Sequence, residues 1–168
     1  HLKIHSQYSI CEGAIKIDDL KDFSKENKLR SLALCDTTNL CGALEFAEKI
    51  SKIGTQPIIG TQINFKFSDT TGLLPLFALN QKGYKRIIEL SSSSFLKNNK
   101  LTDPHLNFEE LLINDEGVSI FSGTIDGLFG QLFNKGKFNE VIDLYSKLKS
   151  KYHDRFYIEI QRHGDQNE

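Results

Sequence analysis

Histidine, carboxylate and thiol side chains that could bind metal ions occur together near the start of this chain and again near residue 35. The segment HLKIHSQYSICEGA contains His1, His5 and Glu12, and the segment CDTTN begins with Cys35 and Asp36. Imidazoles, thiolates and carboxylates are ligands of zinc, manganese and iron, and grouped ions of this kind activate water against a phosphoester. The residue types therefore raise the hypothesis of a hydrolytic metal site.

The spacing of these residues limits what they can bind together. On an extended strand His1 and His5 point the same way but lie roughly 13 Å apart, so they cannot share one ion unless the strand bends. We interpret Asp36 as a strand-end acid that caps the turn at Asn39 rather than as a ligand. His163, in the segment EIQRHG, is either a ligand or a loop residue at the rim of the site.

The cysteines indicate packing rather than redox chemistry. Cys11, Cys35 and Cys41 show neither CxxC nor zinc-type spacing. No basic group or histidine lies beside Cys35 or Cys41 in sequence, so we predict that both are small buried apolar residues. Three thiols without a secretory signal are typical of a reducing, cytoplasmic setting.

Composition and charge exclude some classes of partner. The chain has 21 basic and 22 acidic residues and a formal net charge of -1, which does not indicate nucleic-acid or membrane binding by charge alone. No apolar run approaches the roughly 20 residues that a membrane-spanning helix needs. The chain contains no methionine and begins in mid-pattern, so we interpret it as a piece of a longer protein.

The elements that would position these residues alternate along the chain. Strand patterns occur at 2–5, 31–36, 56–65, 73–80, 118–123 and 156–161. Helical patterns occur at 17–28, from the N-cap Asn39 to the stop at Gly54, and at 83–90, 107–113, 128–133 and 138–152.

Apolar spacing indicates the buried face of four helices, and two features interrupt the pattern of elements. The predicted buried residues include Ile17, Leu20, Phe23, Leu44, Phe46, Ala47, Ile50, Ile87, Ile88, Leu90, Val141, Leu144, Tyr145 and Leu148. Pro75 assigns its strand to an edge or a bulge, and the polar segment 91–104 reads as a flexible loop.

Alternating strands and helices favour an α/β fold with a mainly parallel sheet, although this pattern does not separate an open sheet from a barrel. In such folds functional residues gather at the carboxyl ends of the strands. The segments HSQYS, CDTTN, GTQIN, FSGT and EIQRHG all follow or end a predicted strand. We therefore expect these five segments to converge on one site.

Several segments taken together, and in order, resemble a known family. They are HLKIHSQYSICEGAIKI, SLALCDTTNLCGALEF, QPIIGTQINF, LFALNQKGYKRIIELSS, VSIFSGTIDGLFGQLF and DRFYIEIQRHG. They are similar to the PHP (polymerase and histidinol phosphatase) domain, in the version at the amino terminus of bacterial DNA polymerase III α subunits. The resemblance implies a distorted (β/α)7 barrel, of which residues 1–168 would be a partial domain that lacks the last strands.

Active members of that family hold a cluster of metal ions, and two of their ligands have counterparts in the opening segment. The family's first segment is His-x-His. Its second histidine matches His5, its first falls on Lys3, and the acid that follows matches Glu12. In the family's Thr-Asp-His segment the acid matches Asp36 and the histidine falls on Thr37.

The remaining ligand positions of the family carry poor ligands here. The expected glutamate falls on Gln62, the expected histidine near Leu73 or Leu74, and the expected cysteine on Thr124. The last Asp and His segment would lie beyond residue 168. The resemblance therefore implies vestigial positions at His5, Glu12 and Asp36, with no metal, no other cofactor and no catalytic residue expected in this chain.

The resemblance also implies a role in DNA replication. The parent chain would be a DNA-directed DNA polymerase, a nucleotidyltransferase whose Mg²⁺-binding carboxylates lie in another domain. This domain would then be a metal-free structural platform. Its partners would be the other polymerase domains, the proofreading exonuclease subunit and DNA through the holoenzyme, with no membrane partner.

Two other functions stay open on the sequence alone. The first is an active metal-dependent phosphoesterase or 3′–5′ exonuclease with zinc, manganese or iron in the PHP site. The second is a stand-alone binding module that shares only the fold.

Overall fold

The computed structural model describes residues 2–98 and 102–161 of the 168. Its elements are α1 (Ile17–Glu26), β1 (Ser31–Thr37), α2 (Ala43–Ser51), β2 (Gln56–Phe67), β3 (Thr70–Ala78), α3 (Gln81–Leu96), β4 (Leu106–Asn107), α4 (Phe108–Ile113), β5 (Val118–Phe121), α5 (Leu128–Asn134), α6 (Phe138–Tyr152), a short 3₁₀ turn (His153–Arg155) and β6 (Phe156–Tyr157). The predicted α/β class is confirmed.

The six strands form one mixed sheet in the order β1-β2-β3-β5-β6, with β4 paired to β2. The pairs β1–β2, β2–β4 and β5–β6 are parallel, whereas β3 is antiparallel to both β2 and β5. The expectation of a mainly parallel sheet is therefore wrong at β3. Only Ser68 and Asp69 connect β2 to β3, and so short a turn can join only antiparallel strands.

The helices gather on one face of β1 and leave its other face to a smaller cluster. Leu32 and Leu34 of β1 pack with residues of α1 and α2, among them Ile17 and Phe46. Ala33 and Cys35, which alternate with them, pack with Phe77 on the opposite side. The largest apolar cluster joins the outer face of β2, β3 and β5 to α3, α4, α5 and α6.

Local hydrogen bonds explain where two of the helices begin. The Asp19 carboxylate accepts from the Lys16 backbone N–H at 3.2 Å, just before the first turn of α1. The Asn80 Oδ1 accepts from the backbone N–H groups of Lys82 and Gly83 at 3.0 Å each, which caps α3. Asn39 was the predicted cap of α2, but α2 begins after Gly42.

The prediction of a loop over 91–104 is wrong for its first six residues, which continue α3 to Leu96. Ser91 and Ser94 are buried, and their hydroxyls donate to the backbone oxygens of Thr38 and Ser91, at 3.3 Å and 2.7 Å. Serines can bury their hydroxyls in a helix when backbone carbonyls accept from them. Residues 99–101 of the predicted loop lie outside the described ranges.

Three strand predictions need correction. Residues 2–5 are not a regular strand, although Ile4 accepts from the Cys35 N–H at 2.8 Å. The last strand is limited to Phe156–Tyr157. The strand with Pro75 is internal. Its partner Gln62 directs its own backbone oxygen to Thr38, away from β3, so no bond of the β2–β3 ladder requires an N–H at residue 75.

Several side chains expected on buried helix faces are exposed instead. These are Phe23, Leu44, Ile88 and Tyr145, whereas Ser24 and Ala43 are buried. The helical periods are correct, but the buried face is rotated by about one residue in α1 and α2. Within the described ranges, no helix has the length and apolar character needed to cross a membrane.

Candidate functional site

Polar residues from four separate parts of the chain surround one cavity of about 260 Å³. The polar side chains that line it are those of Lys3, His5, Glu12, Gln62, Thr124 and Asp126. The predicted convergence of segments is confirmed for HSQYS, GTQIN and FSGT. Asp126 was not predicted to contribute, because it lies in the loop after β5 and follows no strand or motif pattern.

Asp36 lies outside this cavity and anchors the turn that follows residue 5. It occupies the same face of β1 as Leu32 and Leu34, and its side chain is almost fully buried. Asp36 Oδ1 accepts from the Ser6 N–H at 2.6 Å and from the Ser9 hydroxyl at 2.7 Å, and Oδ2 accepts from the Ser6 hydroxyl at 2.8 Å. Both carboxylate oxygens are therefore engaged.

The predicted role of Asp36 as a cap for the Asn39 turn is wrong. The Asn39 side chain closes that turn itself, because its Oδ1 accepts from the Cys41 N–H at 3.0 Å. Its amide nitrogen donates to the backbone oxygens of Thr37 and Tyr8, at 2.9 Å and 3.0 Å. Asp36 and Asn39 thus fix two different turns to the same strand end.

Thr37 links three parts of the site. Its hydroxyl donates to Glu12 Oε2 and accepts from Gln62 Nε2 at 2.7 Å. Its backbone N–H donates to the Ser9 hydroxyl at 3.0 Å. Thr37 is the position where the resemblance expects a histidine, and here its hydroxyl holds two cavity side chains in place instead of offering an imidazole.

Lys3 and Glu159 form an ion pair beside the cavity. The Lys3 Nζ lies 3.7 Å from Glu159 Oε1, and the two side chains are 14% and 9% exposed. This pair joins residues 2–5 to the segment after β6. It also places a permanent cation where the resemblance expects a histidine ligand.

The thiols do not supply a ligand to this site. Burial raises the pKa of the Cys35 thiol well above its ordinary value; the nearby Lys3 ammonium opposes this shift, and Glu159 and Asp36 add to it. Cys35 is therefore held as a neutral thiol, which neither attacks nor binds metal readily. Its predicted burial is confirmed, whereas Cys41 is exposed and its predicted burial is wrong.

Two polar atoms at the cavity have no hydrogen-bond partner among the described residues. They are Gln62 Oε1 and His5 Nδ1, both inaccessible to solvent. The Gln62 residue as a whole is only 4% exposed. A buried acceptor without a donor costs about 1–3 kcal/mol, so it requires an explanation.

The donor set does not fit a cluster of metal ions. Among the residues that the structure describes, no three His, Cys, Asp or Glu side chains come close enough to hold an ion. The Lys3 ammonium repels cations, the Gln62 amide is a weak ligand, and the Asp36 carboxylate is already saturated. His163, a predicted ligand or rim residue, lies outside the described ranges.

A second, larger cavity of about 790 Å³ lies on the Phe77 face of the sheet. Its walls are mainly apolar and include Leu2, Ile4, Phe121 and Ile158. Leu2 and Ile158 are about half exposed. This groove offers apolar surface but no group suited to catalysis.

Comparison with known proteins identifies relatives along the whole chain. Residues 1–163 match the family described as the PHP domain. Proteins named DNA polymerase III subunit alpha are 35% identical in Caulobacter vibrioides over 98% of the chain, 35% in Rickettsia felis over 97%, and 31% in Vibrio cholerae over 100%. The chain spans only 14–15% of the length of these relatives.

Similarity to solved structures is weaker. An amidohydrolase from Chromobacterium violaceum superposes with a TM-score of 0.46 at 19% identity, over 55% of this chain and 32% of the amidohydrolase. A crystal structure from Bifidobacterium adolescentis gives a TM-score of 0.42 at 16% identity, over 86% of this chain and 53% of that protein. Neither likeness bears on the chemistry of the site.

Proposed function

The chain belongs to the PHP domain family, and from this premise we propose that it is the PHP domain of a bacterial replicative DNA polymerase III α subunit and works without metal ions. The family match over residues 1–163 and the relatives named DNA polymerase III subunit alpha support a role in DNA replication. The parent chain is proposed to be a cytoplasmic DNA-directed DNA polymerase, a nucleotidyltransferase that binds Mg²⁺ in another domain.

The observation that carries the metal-independent role is the ion pair between Lys3 and Glu159. An ammonium group beside His5 and Gln62 disfavours any further cation at the position where the family's first histidine would lie. The saturated Asp36 carboxylate supports the same conclusion, because it cannot turn toward an ion without losing three hydrogen bonds. The domain is then a structural support rather than a hydrolase.

The partners proposed for this support are the remaining polymerase domains, the proofreading exonuclease subunit, and DNA through the holoenzyme. The relatives are about seven times longer than this chain, so other domains are available to contact it. The apolar groove beside Phe77 and Phe121 supplies surface for such contacts. Delegating proofreading to a separate subunit would also explain why hydrolytic ligands are dispensable here.

A phosphodiesterase assay on the full-length protein that contains this chain tests the proposal. We expect no hydrolysis of bis(p-nitrophenyl) phosphate or of a 3′-mismatched primer with added Zn²⁺ or Mn²⁺. Primer extension by the same preparation shows that the polymerase is intact. Hydrolysis that disappears in His5→Ala but persists in Glu48→Gln, an exposed acid of α2, would instead establish the metal-dependent phosphoesterase.

The docking role has its own test. Size-exclusion chromatography of the full-length protein with the proofreading exonuclease subunit should give a co-eluting complex. A variant such as Ile158→Asp, which places a charge in the apolar groove, distinguishes this groove from other surfaces. Absence of a complex with the unaltered protein would remove exonuclease docking from the proposal while leaving the metal-independent role intact.

A further inference from the structure

The 260 Å³ cavity combines an acidic rim with a buried acceptor that lacks a donor. Glu12 and Asp126 are exposed at the rim, and neither forms a salt bridge with any described residue. Gln62 Oε1 lies inside the cavity wall, without a partner and shielded from solvent. The rim offers negative charge and the wall offers a second, neutral acceptor.

Hydrogen bonding fixes which end of the Gln62 amide faces the cavity. Its Nε2 donates to the Thr37 hydroxyl at 2.7 Å, and that hydroxyl in turn donates to Glu12. A reversed amide would place an acceptor opposite the Thr37 oxygen, which would then have to abandon Glu12 to donate to it. The free Oε1 is therefore held in place by the Thr37 chain, and it calls for a ligand that donates.

The charges around the cavity favour a ligand with a single positive charge. Glu12 and Asp126 contribute two negative charges, and Lys3 is neutralised by Glu159 at 3.7 Å. An anion would meet both rim carboxylates. A neutral ligand would leave them without a counter-charge when it displaces their water.

Geometry decides between a metal ion and an organic cation. A metal ion needs its oxygen ligands within about 2.0–2.6 Å of one point. Among the described residues no trio of His, Cys, Asp or Glu side chains meets that condition. A guanidinium group carries five N–H donors spread over a planar fork, so it can reach acceptors that are too far apart to share one ion.

We propose that this cavity binds a guanidinium group, presented by an arginine side chain of a partner protein. The planar group donates to Gln62 Oε1 at the wall and to the Glu12 and Asp126 carboxylates at the rim. His5 Nδ1, the other buried atom without a partner, accepts from it when the imidazole carries its proton on Nε2. The site thus takes over the position of the family's metal centre with a different ligand chemistry.

Saturation-transfer difference NMR tests this proposal, because it observes the ligand and works with a protein of any size. The probes are Nα-acetyl-arginine amide, Nα-acetyl-lysine amide and methylguanidinium, each titrated against the full-length protein that contains this chain. We expect saturable binding of both guanidinium compounds and weaker binding of the lysine compound. Tighter binding of the arginine amide than of methylguanidinium identifies a side chain rather than a free small cation as the ligand.

Two variants locate the binding. Gln62→Met keeps the side-chain volume, removes the inner acceptor and should weaken binding about tenfold. Asp126→Asn changes only an exposed rim charge, leaves folding intact and should weaken binding about threefold. Glu48→Gln, an exposed acid on α2, is the matched control and should bind as the unaltered protein does.

Three results would overturn the proposal. The first is an absence of saturable binding by either guanidinium compound. The second is equal affinity in the unaltered protein and in Asp126→Asn and Gln62→Met, once a thermal melt shows that both variants are folded. The third is displacement of the guanidinium probes by micromolar Zn²⁺ or Mn²⁺, which would return the cavity to metal binding.

Discussion

Asp36 and Gln62 lie at the same end of the same sheet, yet the protein treats them in opposite ways. Asp36 follows Cys35 on β1, and Gln62 is the register partner of Thr37, the next residue along β1. Every oxygen of the Asp36 carboxylate accepts a hydrogen bond from Ser6 or Ser9. Gln62 keeps one bond to Thr37 and leaves its oxygen without a donor.

The difference separates groups that stabilise the fold from groups that are available to a ligand. A buried polar network whose members are all bonded rigidifies the structure around it. A buried acceptor that stays unpaired lowers stability and is retained only if something outside the chain uses it. On this basis the Asp36 region is structural and the Gln62 region is the functional candidate.

The largest expected effect comes from breaking the Asp36 region. Asp36→Ala removes three hydrogen bonds and leaves the Ser6 N–H and the Ser6 and Ser9 hydroxyls without their acceptor, so we expect a loss of about 3 kcal/mol in the free energy of unfolding. Urea denaturation measures this loss. Asp22→Ala, an exposed acid of α1, is the control and should change stability by less than about 0.5 kcal/mol. A loss below about 1 kcal/mol for Asp36→Ala would contradict the structural role.

A second saturated carboxylate, Asp115, gives the next largest effect and a pH dependence. Burial alone would raise the pKa of Asp115, but hydrogen bonds and charges from Arg155 and Lys151 outweigh it and hold the pKa below its usual value. We expect Asp115→Asn to cost about 2 kcal/mol at neutral pH, since charge-assisted hydrogen bonds are lost.

The sign of the pH dependence follows from the lowered pKa of Asp115. The stabilisation is fully present above the unfolded-state pKa of about 3.9 and is lost as the pH falls through the lower folded-state pKa. Thermal melts from pH 7 to pH 2.5 should therefore show the variant and the unaltered protein converging below about pH 4. Parallel curves over that range would show that the ion pairs with Arg155 and Lys151 do not act through this charge.

The smallest expected change in stability comes from Gln62, and this prediction sharpens the contrast with Asp36. Gln62→Met loses one hydrogen bond to Thr37 but also removes the unpaired oxygen, so the two effects oppose each other. We expect the free energy of unfolding to change by less than about 1 kcal/mol in either direction. A loss as large as that of Asp36→Ala would show that Gln62 is structural too.

Sequence reasoning located the cavity but not all of its chemistry. The rule that strand ends converge brought His5, Gln62 and Thr124 together correctly, and the resemblance placed Lys3 at a former ligand position. Asp126 was missed because a loop acid carries no periodic signal. Glu159 was missed because an ion pair between distant segments depends on strand order, which the mixed sheet makes hard to predict.

The role of Asp36 could have been inferred more fully from the sequence. Leu32, Leu34 and Asp36 alternate on β1 with Ala33 and Cys35, so Asp36 had to share the helix-covered face with the leucines. The helical serines at 91 and 94 were less accessible to such reasoning. Their carbonyl acceptors come from Thr38 and from the helix itself, and only the folded chain shows that these are within reach.

Metal analysis of the purified full-length protein tests the central claim most directly. After incubation with Zn²⁺, Mn²⁺ or Fe²⁺ and extensive dialysis, inductively coupled plasma mass spectrometry gives the equivalents retained per chain. We predict well under one equivalent of each of these metals, with no difference between the unaltered protein and His5→Ala. More than one equivalent in the unaltered protein, lost in His5→Ala, would contradict the account and identify a working metal centre.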